Sequence, residues 1–287
     1  MRNFDEHNIT EAVLQRVAGA DAPRVRQISS ALVRHLHNFV REIEPTQQEW
    51  EHAIDFLTRT GQMCSDTRQE FILLSDALGV SMLVDAINHR FPGDATETTV
   101  LGPFFVKAAP ELPLGAVISR PEDGPALLIE GSVRALDGTP LVGASVDIWH
   151  ADADGYYDVQ RDAGELSSRV RVRTDEQGRF WVLGAVPAAY PIPNDGPVGQ
   201  MLEAQGRHPY RPAHVHFMIA APGYETLVTH LFLADSDYLD SDVVFGVKDS
   251  LIEPLVETHP GTTSYGAKVE QSVPTLRRNF VLASSEN

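Results

Sequence analysis

The stretch "RPAHVHFMI" places two histidines, His214 and His216, two residues apart in an apolar, β-branched run. Side chains alternate faces along a strand, so positions i and i+2 point the same way. Two imidazoles on one face suit Zn, Fe, Cu or Ni, and equally a pair of satisfied or solvent-facing histidines. His35 and His37 repeat the spacing in a helical run, where two positions differ by roughly 200° and cannot share a ligand. The next acidic residue after the pair is Glu225, across a turn, and His230 offers a third imidazole that no spacing rule demands.

Two tyrosine segments add to the pair. "DIWHADADGYYD" carries Tyr156 and Tyr157 after a glycine, and "VPAAYPIPNDGP" carries Tyr190 in a Pro-rich loop. A free phenol, with a pKa near ~10, ligates poorly unless a strong Lewis acid takes its proton. Ferric iron is such an acid. For any single tyrosine, packing in a core or rim is the commoner role.

The elements that must position these groups change character along the chain. In "ALVRHLHNFVREI" the apolar residues Leu32, Val33, Leu36, Phe39, Val40 and Ile43 keep helical spacing, and Pro45 ends the run. Thr46 and Glu49 then have capping-box spacing before "WEHAIDFLTRTG". A third helix is expected from about Thr67, carrying Phe71, Leu74, Leu78, Met82, Leu83 and Ile87, with "FPGD" at 91–94 stopping it. A Pro- and Gly-rich connector covers 106–126, and from Leu127 the period becomes that of strands broken at Asp137-Gly138, Gly143, Gln177-Gly178 and Pro222-Gly223. The expected fold is mostly β with an α-helical N-terminal region: helices over 1–104 and an antiparallel β-sandwich over 105–287.

Composition excludes several classes. The 287 residues are 43% hydrophobic and 22% charged, which allows a sizeable folded core. A net charge of -17 with no basic run argues against a nucleic-acid partner. Cys64 is the only cysteine, so intrachain disulfides and multi-thiolate zinc sites are closed. No signal core and no run near the ~18 apolar residues of a membrane span is present, and a cytoplasmic protein without membrane partners is expected. "HADADG" fails as an EF-hand, with His150 and Arg161 at the first and last ligand positions, and "GTTSYGAK" misses the phosphate-loop spacing at Ala267.

Taken in order, "LGPFF" (101–105), "GTPLVGASVDIWHADADGYYD" (138–158), "AAYPIPNDGP" (188–197) and "RPAHVHF" (211–217) resemble the intradiol ring-cleaving dioxygenases. The N-terminal helical part resembles the dimerisation region of the catechol and hydroxyquinol branch. The resemblance implies Fe(III) held by Tyr157, Tyr190, His214 and His216, with Tyr156 turned away. It implies a catechol-type diol bound as a dianion, its two protons going to a hydroxide and to the displaced Tyr190, and cleavage by O2 between the two hydroxyl-bearing carbons. It places Arg211 beside the ring, where fixed charge stabilises negative charge building on carbon. Arg211 lies three residues before His214, so "RP" must mark an irregular strand entry.

His230 stands where catechol-cleaving relatives commonly carry Gln, and either lines the site behind the ligands or is a buried structural histidine. The resemblance further implies a pocket lined by Leu73, Asp76, Val100, Leu101, Pro103, Phe104, Arg211, Val243 and Val244. Asp76 and the wording "EFILLSDALG" and "THLFLADSDYLDSDVVFG" are most similar to the hydroxyquinol branch. The expected substrate is benzene-1,2,4-triol, giving 3-hydroxy-cis,cis-muconate and, by tautomerisation, maleylacetate; catechol or a chlorocatechol is the alternative. A homodimer through the N-terminal helices is implied, with a phospholipid at that interface in some relatives. Two competing readings are a prealbumin-like binding module, which has no reason to keep the Tyr, Tyr, His, His set, and a zinc hydrolase using His214, His216 and His230.

Overall fold

A computed structural model describes residues 2–65, 68–91, 93–107, 109–161 and 166–285. Two compact units divide the chain, Met1–Arg59 and Thr60–Asn287. The boundary expected at 104, placed just before the Pro- and Gly-rich connector, follows sequence character and is a division of another kind.

The first unit contains α1 (Ile9–Val17), α2 (Pro23–Ile43) and the start of α3 (Gln47–Gln62). Pro23 stands at the first position of α2, where a missing N–H costs nothing. The capping box before α3 is formed: the Thr46 N–H donates to Glu49 Oε2 at 2.8 Å and the Glu49 N–H to Thr46 Oγ1 at 3.2 Å. The apolar stripe of α2 is left uncovered, with Leu32, Leu36 and Phe39 62%, 52% and 54% exposed.

The second unit opens with α4 (Glu70–Ala77) and α5 (Val80–Asn88). Thr67, the expected start of a single helix here, lies outside the described residues. The periodic stretch forms two helices because Gly79 adopts a left-handed φ of 71° between them. α6 (Pro197–Ala204) follows the Tyr190 loop, and its Val198 N–H donates to the fully buried Glu70 of α4 at 3.2 Å.

The strands are β1 (Ala126–Ala135), β2 (Ser145–His150), β3 (Arg169–Arg173), β4 (Arg179–Ala185), β5 (Tyr190–Pro191), β6 (Tyr210–Arg211), β7 (His214–Ala220), β8 (Leu227–Leu233), β9 (Ile252–Glu253), β10 (Val256–Thr258), β11 (Gly261–Thr262), β12 (Lys268–Val269) and β13 (Val273–Leu282). A four-stranded sheet has the order β10-β13-β1-β4 and a five-stranded sheet the order β3-β2-β7-β8-β9. Two small ribbons, β5-β6 and β11-β12, complete the set. The sandwich is therefore as expected, but its sheets are mixed, not wholly antiparallel: β13 pairs parallel with β1, and β9 parallel with β8. A parallel pair needs a long crossover, and here nearly the whole domain separates β1 from β13.

The main core lies between the two sheets. Leu127, Ile129, Val133, Phe180 and Val182 of one face Val146, Ile148, Val215, Phe217 and Ile219 of the other. Strand alternation then decides what the outer face carries. With Val215, Phe217 and Ile219 turned into the core, His214 and His216 must point to the opposite side of β7. Leu227, Leu231 and Leu233 likewise commit β8, turning His230 and Phe232 toward the histidines.

Candidate metal centre

Four donor atoms converge on that outer face. Tyr157 Oη lies 3.1 Å from Tyr190 Oη, 2.7 Å from His216 Nε2 and 3.5 Å from His214 Nε2. Tyr190 Oη is 3.5 Å from His214 Nε2, and the two Nε2 atoms are 3.1 Å apart. All four side chains are buried. The alternation inferred for "HVH" holds, with both histidines on one face of β7. His230 is the direct partner of His216 across the β7–β8 ladder, which the sequence could not show without the register. His214, His216 and His230 offer ligand atoms within 4.8 Å of one another.

The strand break expected at "RP" is present. β6 ends at Arg211, β7 begins at His214, and Pro212-Ala213 between them interrupt the alternation. Arg211 Nη1 consequently lies 3.3 Å from His214 Nε2, on the same side. In the small ribbon, Arg211 pairs directly with Tyr190. Tyr157 is clamped from its own chain neighbour: Asp158 is ion-paired with the buried Arg169, whose Nη1 donates to the Phe104 carbonyl at 3.0 Å. Phe104 stacks on the Tyr157 ring at 4.5 Å and 25°. Tyr156 turns out as expected, 49% exposed, with the Arg161 guanidinium 4.4 Å over its ring.

Burial sets the electrostatics. It pushes the Tyr157 phenol well above its ordinary value, and Tyr190 adds to that; it also raises Tyr190, with Arg211 pulling the other way. It pushes His214 down to about 3, helped by the Arg211 charge, and holds His216 and His230 well below the ordinary imidazole value. Burial alone would lower Arg211, but Asp242 and then Tyr190 outweigh it and the guanidinium stays charged. The cluster therefore consists of neutral imidazoles with free lone pairs, phenols that release a proton only to a cation, and one permanent positive charge beside them.

The remaining expected pocket residues are dispersed around this point. Leu73, Val243 and Val244 are buried in one cluster with Ala77, Ile192, Val198 and Leu202. Asp76 is 5% exposed. Val100 is half-buried, whereas Leu101 and Pro103 are exposed. Val243 also lines, with Asp242, Arg207 and Phe245, a cavity of about 480 Å³. Asp242, the ion-pair partner of Arg211, was not singled out from sequence; only its 31-residue separation from Arg211 was visible there, and that carries no signal.

Residues 100–282 match the family model described as "Dioxygenase", and residues 22–96 match "Catechol dioxygenase N terminus". The chain is 53% identical over 263 residues to the 6-chlorohydroxyquinol 1,2-dioxygenase of Cupriavidus pinatubonensis, covering 91% of this chain and 95% of that one. It belongs to the intradiol ring-cleavage dioxygenases. Among other members it is 48% identical over 283 residues to the hydroxyquinol 1,2-dioxygenase of Corynebacterium glutamicum, covering 97% of this chain and 93% of that one. The crystal structure of hydroxyquinol 1,2-dioxygenase from Pseudomonas putida DLL-E4 superposes with a TM-score of 0.92 at 47% identity, over 98% and 99% of the two chains.

Intradiol dioxygenases act through Fe(III), and the donor set fits that ion. Two phenol oxygens, hard donors once ionised, and two imidazole nitrogens, all buried and with five of their six pairs within 3.5 Å, match a trivalent cation better than zinc. When bound, the ferric ion withdraws electron density from a coordinated diol and so activates the ring toward O2. The zinc-hydrolase reading falls because two phenols occupy the space beside the histidine pair. The binding-module reading falls with it.

Proposed function

We propose that Tyr157, Tyr190, His214 and His216 are the iron ligands and that the chain cleaves benzene-1,2,4-triol between its vicinal hydroxyls. The product is 3-hydroxy-cis,cis-muconate, which tautomerises to maleylacetate. The observation that carries the substrate choice is Asp76, a carboxylate buried on α4 within reach of the Arg211 and Asp242 fields. This buried acceptor, already bonded to Ser81, gains a further hydrogen bond from a substrate with a third hydroxyl and none from catechol, and polar readout of this kind discriminates better than apolar fit. The hydroxyquinol and 6-chlorohydroxyquinol activities of the relatives agree with it.

Within this reading the residues have distinct tasks. Tyr157 is held on both sides, by the Phe104 stack and through Asp158 by Arg169, whereas Tyr190 sits on a two-residue strand in a Pro-rich loop. This agrees with the resemblance, in which Tyr190 would be the ligand that leaves: its Oη would accept one proton of the incoming diol, and hydroxide the other. His214 and His216 stay neutral throughout and give up no proton. Arg211 stabilises negative charge on the reacting ring. Leu73, Val100, Leu101, Pro103, Phe104, Val243 and Val244 supply apolar walls, and His230 stands behind the two histidines.

The uncovered stripe of α2 supports a homodimer through the N-terminal helices, with a phospholipid seated there as the resemblance implies. No helix among the described residues is long and apolar enough to cross a membrane.

The direct test is a visible spectrum before and after anaerobic addition of benzene-1,2,4-triol. Tyrosinate bound to ferric iron gives a charge-transfer band, and the band should move to longer wavelength on addition. Iron-replete protein without colour would remove Tyr157 and Tyr190 as ligands. Equal kcat/KM for catechol and the triol would remove the substrate choice alone.

A further inference from the structure

The two histidines of β7 are oriented by different means. His214 Nδ1 lies 2.7 Å from the Pro212 carbonyl, a hydrogen bond that fixes the ring and turns Nε2 to the site. His216 has no such tether: its Nδ1 is buried without a hydrogen-bond partner among the described residues. The final torsion of a histidine is broad and two-fold, so an untethered imidazole points only where its surroundings force it.

Those surroundings are specific. Trp149, opposite His216 in the β2–β7 ladder, lies on one face of the ring with centroids 4.7 Å apart and planes at 12°. His230 meets the ring edge-on at 4.1 Å and 79°. The backbone of Gly102 closes the edge that carries Cε1 and Nδ1. A Cβ at 102 would stand 3.0 Å from Cε1, 3.7 Å from Nδ1 and 3.9 Å from Nε2, and the residue has φ of 78°. An added methyl would push the imidazole by a few tenths of an ångström, and the stacked indole limits how it can yield.

We propose that Gly102 is a positioning residue for His216: its bare backbone and the face of Trp149 together set the ring plane that aims Nε2 at the iron. The packing at 102 and 149 replaces the hydrogen bond that His214 has and His216 lacks. This rests on the reading of His216 as a ligand.

The test uses Gly102→Ala, Trp149→Leu, Trp149→Phe and His216→Ala in the full chain. Three readouts are compared: iron affinity by chelator competition, the position of the tyrosinate band, and Tm of the iron-free protein. Gly102→Ala and Trp149→Leu should each weaken iron retention on the order of 10-fold and displace the band. Trp149→Phe, which keeps an aromatic plane, should restore both toward the unsubstituted values. Backbone strain at 102 alone would lower Tm and leave the band in place, and that result overturns the proposal. If Gly102→Ala does not fold, the contrast between Trp149→Leu and Trp149→Phe decides, and identical spectra overturn it. Unchanged iron binding in His216→Ala would remove the ligand reading and the proposal together. Loss of iron there, with wild-type behaviour in Gly102→Ala and Trp149→Leu, would remove the proposal alone.

Discussion

Arg211 donates through Nε and Nη2 to the two carboxylate oxygens of Asp242, at 3.1 and 3.2 Å, and neither side chain is more than 3% exposed. The carboxylate is itself held by the backbone N–H of Gly246 at 2.9 Å. Burial would raise Asp242, but Arg211 outweighs it and keeps it ionised. The pair thus fixes a guanidinium at the edge of the Tyr–His cluster, where it also hydrogen-bonds the Tyr190 side chain. Removing one partner of such a pair strands a buried charge, at a cost of about 3–5 kcal/mol. Asp242→Ala and Arg211→Ala should therefore both lower Tm; Asp242→Ala should also reduce turnover, while Arg211→Ala, assayed below its lowered Tm, should keep iron and its colour and lose roughly 100-fold or more in kcat. Wild-type kcat in Arg211→Ala would end the charge-stabilising role; iron analysis and steady-state kinetics on the same samples settle it.

Asp76 gives a prediction whose sign depends on pH. Burial raises its pKa, with Asp242 adding to the shift and a Ser81 hydrogen bond and Arg211 opposing it. A folded-state pKa above the unfolded value means a contribution that is present below the unfolded pKa, about 3.9, and lost as pH rises through the folded value. The ionised carboxylate is then a net cost to the fold at neutral pH. Asp76→Asn should match the parent in stability at acid pH and exceed it above the raised pKa. In the same variant the kcat/KM preference for benzene-1,2,4-triol over catechol should fall about 10- to 100-fold, the worth of a hydrogen bond to a charged acceptor. A gain in stability with an unmoved preference would show that Asp76 does not read the substrate.

How much of this was legible in the sequence differs from residue to residue. The facing of His214 and His216 follows from period-two alternation alone, whereas Tyr157 is singled out from Tyr156 only through the family resemblance that "HADADGYYD" carries. The fold class followed from a change of period near Leu127. Three features were not readable. His230 meets His216 only through the β7–β8 register, and Asp242 meets Arg211 only through a loop that folds back. The parallel pairing of β1 with β13 joins residues as distant as Ser132 and Asn279, whose side chains hydrogen-bond at 2.7 Å. Local propensity carries no information about such contacts. The splitting of the expected helix into α4 and α5 is, in contrast, visible in Gly79, which interrupts an otherwise continuous apolar period.

The α2 stripe predicts an assembly. Leu36 is 52% exposed in the isolated chain, and every side chain named for the iron site lies in the second unit. Burying the exposed half of one such leucine at a two-fold interface counts twice, on the order of 2 kcal/mol, or roughly thirtyfold in dissociation constant, and a buried carboxylate in its place costs more. Leu36→Asp should shift the protein from dimer to monomer in light scattering at micromolar concentration, with turnover per chain within about twofold. A variant that still sediments as a dimer would place the interface elsewhere. Mass spectrometry of an organic extract of the parent would show whether a phospholipid accompanies the dimer.

Arg169 offers the sharpest separation of stability from chemistry. Its side chain is 2% exposed, its guanidinium is ion-paired with Asp158, and it donates to the Phe104 carbonyl at 3.0 Å. One residue so joins the segment bearing Tyr157 to the segment whose Phe104 stacks on that tyrosine. Arg169→Leu leaves the Asp158 carboxylate buried without its counter-charge, held only by the Val159 and Ser167 N–H groups, and should cost about 3–5 kcal/mol. Adding Asp158→Leu removes the stranded charge, and the double variant should recover most of that loss, since a buried pair replaced by apolar side chains is often neutral in stability. The Phe104 tether is absent from both variants. The double variant should therefore fold well yet keep a displaced or weakened tyrosinate band and reduced kcat. Full recovery of colour and turnover along with Tm would mean that Arg169 serves the fold only, and that the Phe104 stack alone suffices to hold Tyr157.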